Sequence, residues 1–198
     1  MQNIHSSILC SMAANPETRP RLSRSDWLEV SLALLQDDGI NAVTIDALAE
    51  KLGITRGSFY HHFKDRHDLY KEMLDYWKLK WTVELRNDVE ALGLDGRQSL
   101  IALGNLIHHR NAAGYDIAFR AWAVHDERAR KFVTETDKIR LDFVRRQFEK
   151  MGFNDLDLEN RSRLFLYYAM SEPGFLDPPE EETTRQLDQV RLNFLTSK

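Results

Sequence analysis

Residues 55–58, Thr55-Arg56-Gly57-Ser58, set a donor-rich side chain beside a residue that has none. Arg56 carries a planar guanidinium, which can give two parallel hydrogen bonds to a guanine edge in a DNA major groove. Gly57 offers no side chain, so another surface can approach the backbone closely. Thr55 and Ser58 add hydroxyls. Capping and solvent exposure alone would account for Thr55, so the reading of this cluster as a DNA contact rests on Arg56 beside Gly57. Tyr60, His61 and Lys64 follow on or just after the same stretch, where a plain solvated face is the competing explanation. His62 points to a different side of any helix than His61 and reads as structural.

Other chemistry is poorly represented. Catalysis needs a nucleophile or base with a positioned partner, and no such motif occurs. There is no phosphate-cradling loop, and the spacing of His108, His109 and His125 does not resemble metal-ligand geometry. The single cysteine, Cys10, has no partner for an internal disulfide and fits a reducing cytosol. No catalytic residue, cofactor or metal is therefore expected. In the second half, Trp77, Trp81 and Leu85 recur at i, i+4 and i+8, which reads first as a core stripe. A stripe on a helix wall can also line a cavity. Asn105, His108 and His109 add polar groups to an apolar helix, and Tyr115 opens the next. A mostly apolar pocket with a few polar groups suits a small molecule, so Trp81, Asn105, His108, His109 and Tyr115 are the candidate effector-binding residues.

The elements that must position the first cluster are legible from their punctuation. Ser23 with Asp26 forms a capping box, flanked by Leu22 and Trp27 as a hydrophobic staple. Gly39 ends that helix. Thr44 caps the next, with Val43 and Leu48 as the staple, and Gly53 stops it. Thr55 caps a third, with Ile54 and Phe59 as the staple, and Asp65 caps a fourth. Barely two turns, a tight glycine turn and another short helix make a helix-turn-helix, whose second helix enters the major groove. Ala49 is small enough to let the two helices cross closely. Helices are predicted over 24–38, 45–52, 56–62, 66–91, 97–111, 114–125, 128–151, 157–171 and 182–195, with an irregular stretch at 172–180 around Pro173-Gly174 and Pro178-Pro179. The lack of glycine and proline between Asp65 and Leu92 predicts one stiff helix there.

The run from Thr44 to Arg66, TIDALAEKLGITRGSFYHHFKDR, resembles the N-terminal signature of the TetR family of transcriptional regulators. The family pattern is threonine, alanine-x-x-leucine-glycine-valine, a small-residue turn, then tyrosine-x-histidine-phenylalanine. Phe59 stands where leucine or isoleucine is commoner, and Arg66 where lysine is usual. The resemblance covers about 50 residues. It implies that Tyr60 and Lys64 meet backbone phosphates and that Thr44 meets one at the start of the second helix, where free amides point outward. With Thr55, Arg56, Gly57, Ser58 and His61, these are the candidate DNA-binding residues. Residues 116–123 and 137–140 more weakly resemble a large subgroup of the family with varied effectors.

The resemblance implies an all-α chain: a three-helix helix-turn-helix domain at 21–66, then a larger helical bundle at 67–198 for effector binding and dimerisation. Residues 1–20 read as a disordered extension, since no Lys or Arg precedes Arg19 and the apolar run at Ile8-Leu9 is too short for a signal sequence. Across 16–66, seven Lys or Arg face eight Asp or Glu, a balance of −1, within a chain of net charge −4. DNA affinity must then come from a few placed contacts rather than a broad basic field. Arg19, Arg21 and Arg24 could form a basic arm. The expected partners are a palindromic double-stranded DNA operator, a second copy through 128–151 and 157–171, and an unknown small-molecule effector. No stretch approaches a membrane span, and a cytoplasmic repressor released by its effector is the leading expectation. The alternatives are a small helical enzyme or carrier, and a regulator whose second domain takes a protein partner.

Overall fold

The computed structural model describes residues 22–171 and 180–197. The expectations for residues 1–20, for Arg19 and Arg21 of the arm, and for the prolines of the 172–180 stretch lie outside the described residues. Among the described residues every regular element is helical. They are α1 (Arg24–Asp38), α2 (Ile45–Leu52), α3 (Arg56–Phe59), α4 (Arg66–Lys78), a π segment (Leu79–Val83), α5 (Glu84–Ala91), α6 (Gly96–His109), α7 (Ala112–Ala123), α8 (Glu127–Lys150), α9 (Asp155–Ser171) and α10 (Glu181–Thr196). A 3₁₀ turn, Ile40–Ala42, joins α1 to α2.

Three of the four helix caps expected from the sequence form. The Ser23 hydroxyl accepts from the Asp26 amide at 3.3 Å, and the Asp26 carboxylate accepts from the Ser23 amide at 2.6 Å. Thr44 accepts from the Ala47 amide at 3.2 Å and Asp65 from the Asp68 amide at 2.9 Å. Gly53 adopts φ 65° and ψ 35°, the left-handed stop that a side chain resists. Thr55 departs from this pattern: its hydroxyl makes no cap hydrogen bond and lies 3.3 Å from the Ser58 hydroxyl instead. The third helix is also shorter than the predicted 56–62. It ends at Phe59, and the His61 and His62 amides bond three residues back, to Ser58 and Phe59. Gly57 weakens this single turn, and tightening it lets Phe63 follow Phe59 into the core, ring centroids 5.3 Å apart.

The predicted 66–91 helix runs its full length but not in one register. The π segment inserts an extra residue into the turn and so rotates everything beyond it. The reason lies in what the helix packs against. Up to Trp77 its buried residues join a first core with Trp27, Leu32, Leu48, Phe59, Phe63, Phe119 and Trp122. From Leu85 onward they join a second, with Leu100, Phe143, Phe148, Phe165 and Leu192. Trp81, in the π segment, packs against both. The first core crosses residue 66 without a break, because Phe119, Trp122, Ala129 and Val133 complete it.

Helix α8 packs against α6, α7 and α9. It carries no large exposed apolar side chain, whereas α9 and α10 expose Leu156, Leu164, Tyr167, Val190 and Phe194.

Candidate functional site

The helix-turn-helix stands on an interior of aromatic rings. Trp27 of α1 meets Phe59 edge-on with centroids 5.5 Å apart, and His62 tilts against Trp27 at 6.1 Å. His62 thus packs against the interior, although it lies beyond the end of α3. Tyr70 fastens the 3₁₀ turn: its hydroxyl lies 3.2 Å from the Ile40 carbonyl and 3.3 Å from that of Val43, and burial pushes the phenol up. Arg24 pairs with Glu72 at 3.2 Å, and its guanidinium lies over the Phe63 ring. That side chain is therefore held against α4.

Around this interior, Thr55, Arg56, Gly57, Tyr60, His61 and Lys64 are exposed, and Thr44 and Ser58 half-exposed. The structure brings these eight candidates together at the start of α2, along α3 and just after it. Arg56 is not free: its Nε lies 2.8 Å from Asp46 Oδ1, in the first turn of α2. Lys64 enters no ion pair among the described residues, and its amide donates to the Asp68 carboxylate at 3.0 Å. Gly57 has no steric reason within the chain. A Cβ added there would meet only the Thr55 hydroxyl, at 3.7 Å, an ordinary contact.

The effector candidates disperse. Trp81 and Tyr115 do meet, with centroids 4.4 Å apart, and the Trp81 indole donates to the Arg110 carbonyl at 3.2 Å. Asn105, His108 and His109 are exposed, on the outer side of α6. A small cavity of about 30 Å³ lies instead among the π segment, α5, α6, α8 and α9. Its walls include Trp81, Thr82, Leu85, Leu103, Ile107, Phe143, Leu166 and Met170, with Arg140 at its polar end. Trp81 is the one candidate that reaches it. Helical spacing placed polar groups on α6 but not the rotation of α6, which depends on Leu100, Leu103 and Ile107 turning inward.

Reading residues 116–123 and 137–140 as a resemblance left their chemistry unseen. They form an ion network that runs from buried Asp116 and Arg140 out to half-exposed Arg120 and Asp137. Asp116, fully buried, accepts from Arg120 Nε at 2.6 Å and from Arg140 Nη1. Arg120 also clasps Asp137 with two bonds of 2.8 and 2.6 Å. Arg140 lies over the Trp77 ring at 4.9 Å. Charges this deep need partners on every side, and i, i+4 acids and bases on an apolar helix signal such a network.

Three comparisons bear on this arrangement. Residues 28–73 match the family model described as bacterial regulatory proteins, tetR family. The HTH-type transcriptional regulator AcrR of Shigella flexneri is 34% identical over 68 residues, which are 34% of this chain and 30% of that protein. The HTH-type transcriptional repressor KstR2 of Rhodococcus jostii is 25% identical over 134 residues, 68% of this chain and 63% of that one. The matched region thus spans about a third of AcrR and under two thirds of this KstR2. Among solved structures, a putative TetR-family transcriptional regulator from Rhodococcus sp. superposes with a TM-score of 0.68 at 20% identity, covering 90% of this chain and all of that one. The ketosteroid transcriptional regulator KstR2 of Mycobacterium tuberculosis gives 0.61 at 20% identity, covering 93% and 96%. The structural likeness establishes a shared fold, and the match over residues 28–73 identifies the N-terminal module as the helix-turn-helix module of the tetR family of bacterial regulatory proteins.

Proposed function

We propose that this protein is a sequence-specific DNA-binding transcriptional regulator, a homodimeric repressor that a small-molecule effector releases from a palindromic operator. The observation that carries the reading is Gly57 beside Arg56. The fold leaves room for a side chain at 57, so the missing one serves something outside the chain. Residues 21–66 do the reading: Arg56 faces a base, while Thr44, Tyr60, His61 and Lys64 meet phosphates and Thr55 and Ser58 line the approach. The relatives are named as transcriptional regulators and repressors, which favours this function over an enzyme or carrier. Such a protein works in the cytoplasm, and no helix of the described residues is long and apolar enough to cross a membrane.

Residues 67–198 serve assembly and effector binding. The dimer face we favour keeps 157–171, within α9, and joins it with α10 in place of 128–151. Helix α8 is enclosed by three neighbours, whereas the exposed apolar side chains lie on α9 and α10. Two-fold pairing there would present two recognition helices to half-sites about 34–36 Å apart. The effector cavity is the apolar one at Trp81. At about 30 Å³ it has room for little more than a water, so an effector must part its walls. Parting them moves Trp81, which touches Tyr76 and Tyr115, and the Tyr76 hydroxyl donates to Glu29 of α1 at 3.2 Å. The π segment is where the long helix can change register, a more plausible hinge than the uninterrupted rod the sequence suggested.

The deciding experiment selects duplexes from a fully randomised library with the purified protein. A pseudo-palindromic consensus is expected. Arg56→Ala should cost roughly 1–3 kcal/mol on it and relax one position, and Lys64→Ala should weaken all duplexes and lower the salt slope by about 1. Failure to enrich any sequence would falsify the reading.

A further inference from the structure

We infer that Asp46 is a positioning residue for base recognition: by pairing with Arg56 on its Nε side, it leaves the terminal amino groups open to a guanine and keeps that arginine off the phosphates. The inference rests on the DNA-binding reading above. The pair joins two elements, the first turn of α2 and the first residue of α3, across the turn between them. Both side chains are 66% exposed, so the pair adds little to stability. Its geometry is more informative. The 2.8 Å contact is made to Nε, and the two terminal amino groups of Arg56 have no other ion-pair or hydrogen-bond partner among the described residues. Those groups form the fork that matches the O6 and N7 of guanine. The contact is an ion pair without hydrogen-bond alignment, so it draws Arg56 towards α2 while leaving the fork free to turn onto a base.

The charge arrangement points the same way. A bare carboxylate at the tip of a DNA-reading module would repel the phosphates. Paired with Arg56 it is neutralised, and Arg56 is no longer a loose cation able to settle on any backbone. Lys64, which has no ion-pair partner among the described residues, remains available for that sequence-independent role. Asp46 therefore lowers affinity for wrong sequences more than for the right one, which is how specificity is gained by penalising competitors.

The test uses the duplex selected by the wild-type protein and a second duplex changed at the base pair where Arg56→Ala loses preference. Affinities for both are measured over a range of salt for wild type, Asp46→Ala and Asp46→Asn, with thermal unfolding as a check on folding. Wild type should separate the duplexes by about tenfold or more. Asp46→Ala should separate them by about threefold or less, chiefly by binding the changed duplex more tightly, with a salt slope steeper by about 1. Asp46→Asn keeps the shape but removes the charge that pairs with Arg56 and should lose discrimination much as Asp46→Ala does, and all three proteins should melt alike. If Asp46→Ala discriminates as well as wild type while Arg56→Ala does not, the inference is wrong and the DNA-binding reading stands. If the wild type selects no duplex, both fall.

Discussion

Arg140 donates from Nε to the Thr82 hydroxyl at 2.8 Å and from Nη2 to the Trp81 carbonyl at 3.4 Å, so the middle of α8 is fastened to the π segment of the long helix. A π turn leaves backbone groups poorly paired, and here a buried arginine supplies donors to the site. Its other side is held by Asp116. The break in the helix is thus built in by side chains from two other elements.

Thr82→Val keeps the shape of the side chain but removes the acceptor. The Arg140 Nε would then be buried without a partner, at a cost of about 1–3 kcal/mol. Thr82→Ser should stay close to wild type. Urea unfolding compares them, and a valine variant as stable as wild type would show that the clasp contributes nothing.

Gly57→Ala should leave the fold intact, because the added methyl meets only the Thr55 hydroxyl at 3.7 Å. Helix propensity alone favours alanine by about 1 kcal/mol. Thermal stability should hold or rise while affinity for the selected duplex falls. A variant that gains stability and binds the duplex as tightly as before would remove the argument for close approach at Gly57.

Burial, aided by the Glu29 carboxylate beside it, pushes the Tyr76 phenol up from 10.0 to about 12. Between those values the unfolded chain releases this proton while the folded chain keeps it, so the folded state loses ground as pH rises. The contribution is complete below pH 10 and lost by about 12. Burial also raises Tyr70 and Tyr115, so the informative quantity is the difference between wild type and Tyr76→Phe. Over that window the stability of Tyr76→Phe should fall less steeply. Equal slopes would mean that Tyr76 ionises normally in the folded protein.

Phe194 is 74% exposed on α10, one turn from exposed Val190. Phe194→Asp should leave the fold unchanged and convert a dimer to a monomer at micromolar concentration. Light scattering reads the mass directly. A dimer that persists in this variant, or a wild type that is already monomeric, would discard the α9–α10 face.

Much of the helix-turn-helix module could be read from residue order alone, because its signals are local. Ser23, Thr44 and Asp65 cap their helices through contacts three residues away, and Gly53 needs only its own backbone angles. The ends of α1 and α2 were accordingly legible. So was the exposed cluster at 55–64, where the helix-turn-helix leaves few ways to orient its side chains.

What depended on distant partners was decided by the tertiary structure. Sequence spacing made 66–91 a straight helix, but Trp77 and Leu85 belong to different cores, and Arg140, 58 positions beyond Thr82, holds the offset between them. Asn105, His108 and His109 sat at plausible polar positions on α6, yet packing through Leu100, Leu103 and Ile107 turned them to solvent. The same holds at α3. Sequence supplied an arginine beside a glycine, while the meeting of Arg56 with Asp46 required α2 and α3 to be folded against each other. A cap or a stop is set by neighbours in the chain. The rotation of a helix, and the partner of a charge, are set by whichever surfaces the whole fold brings together.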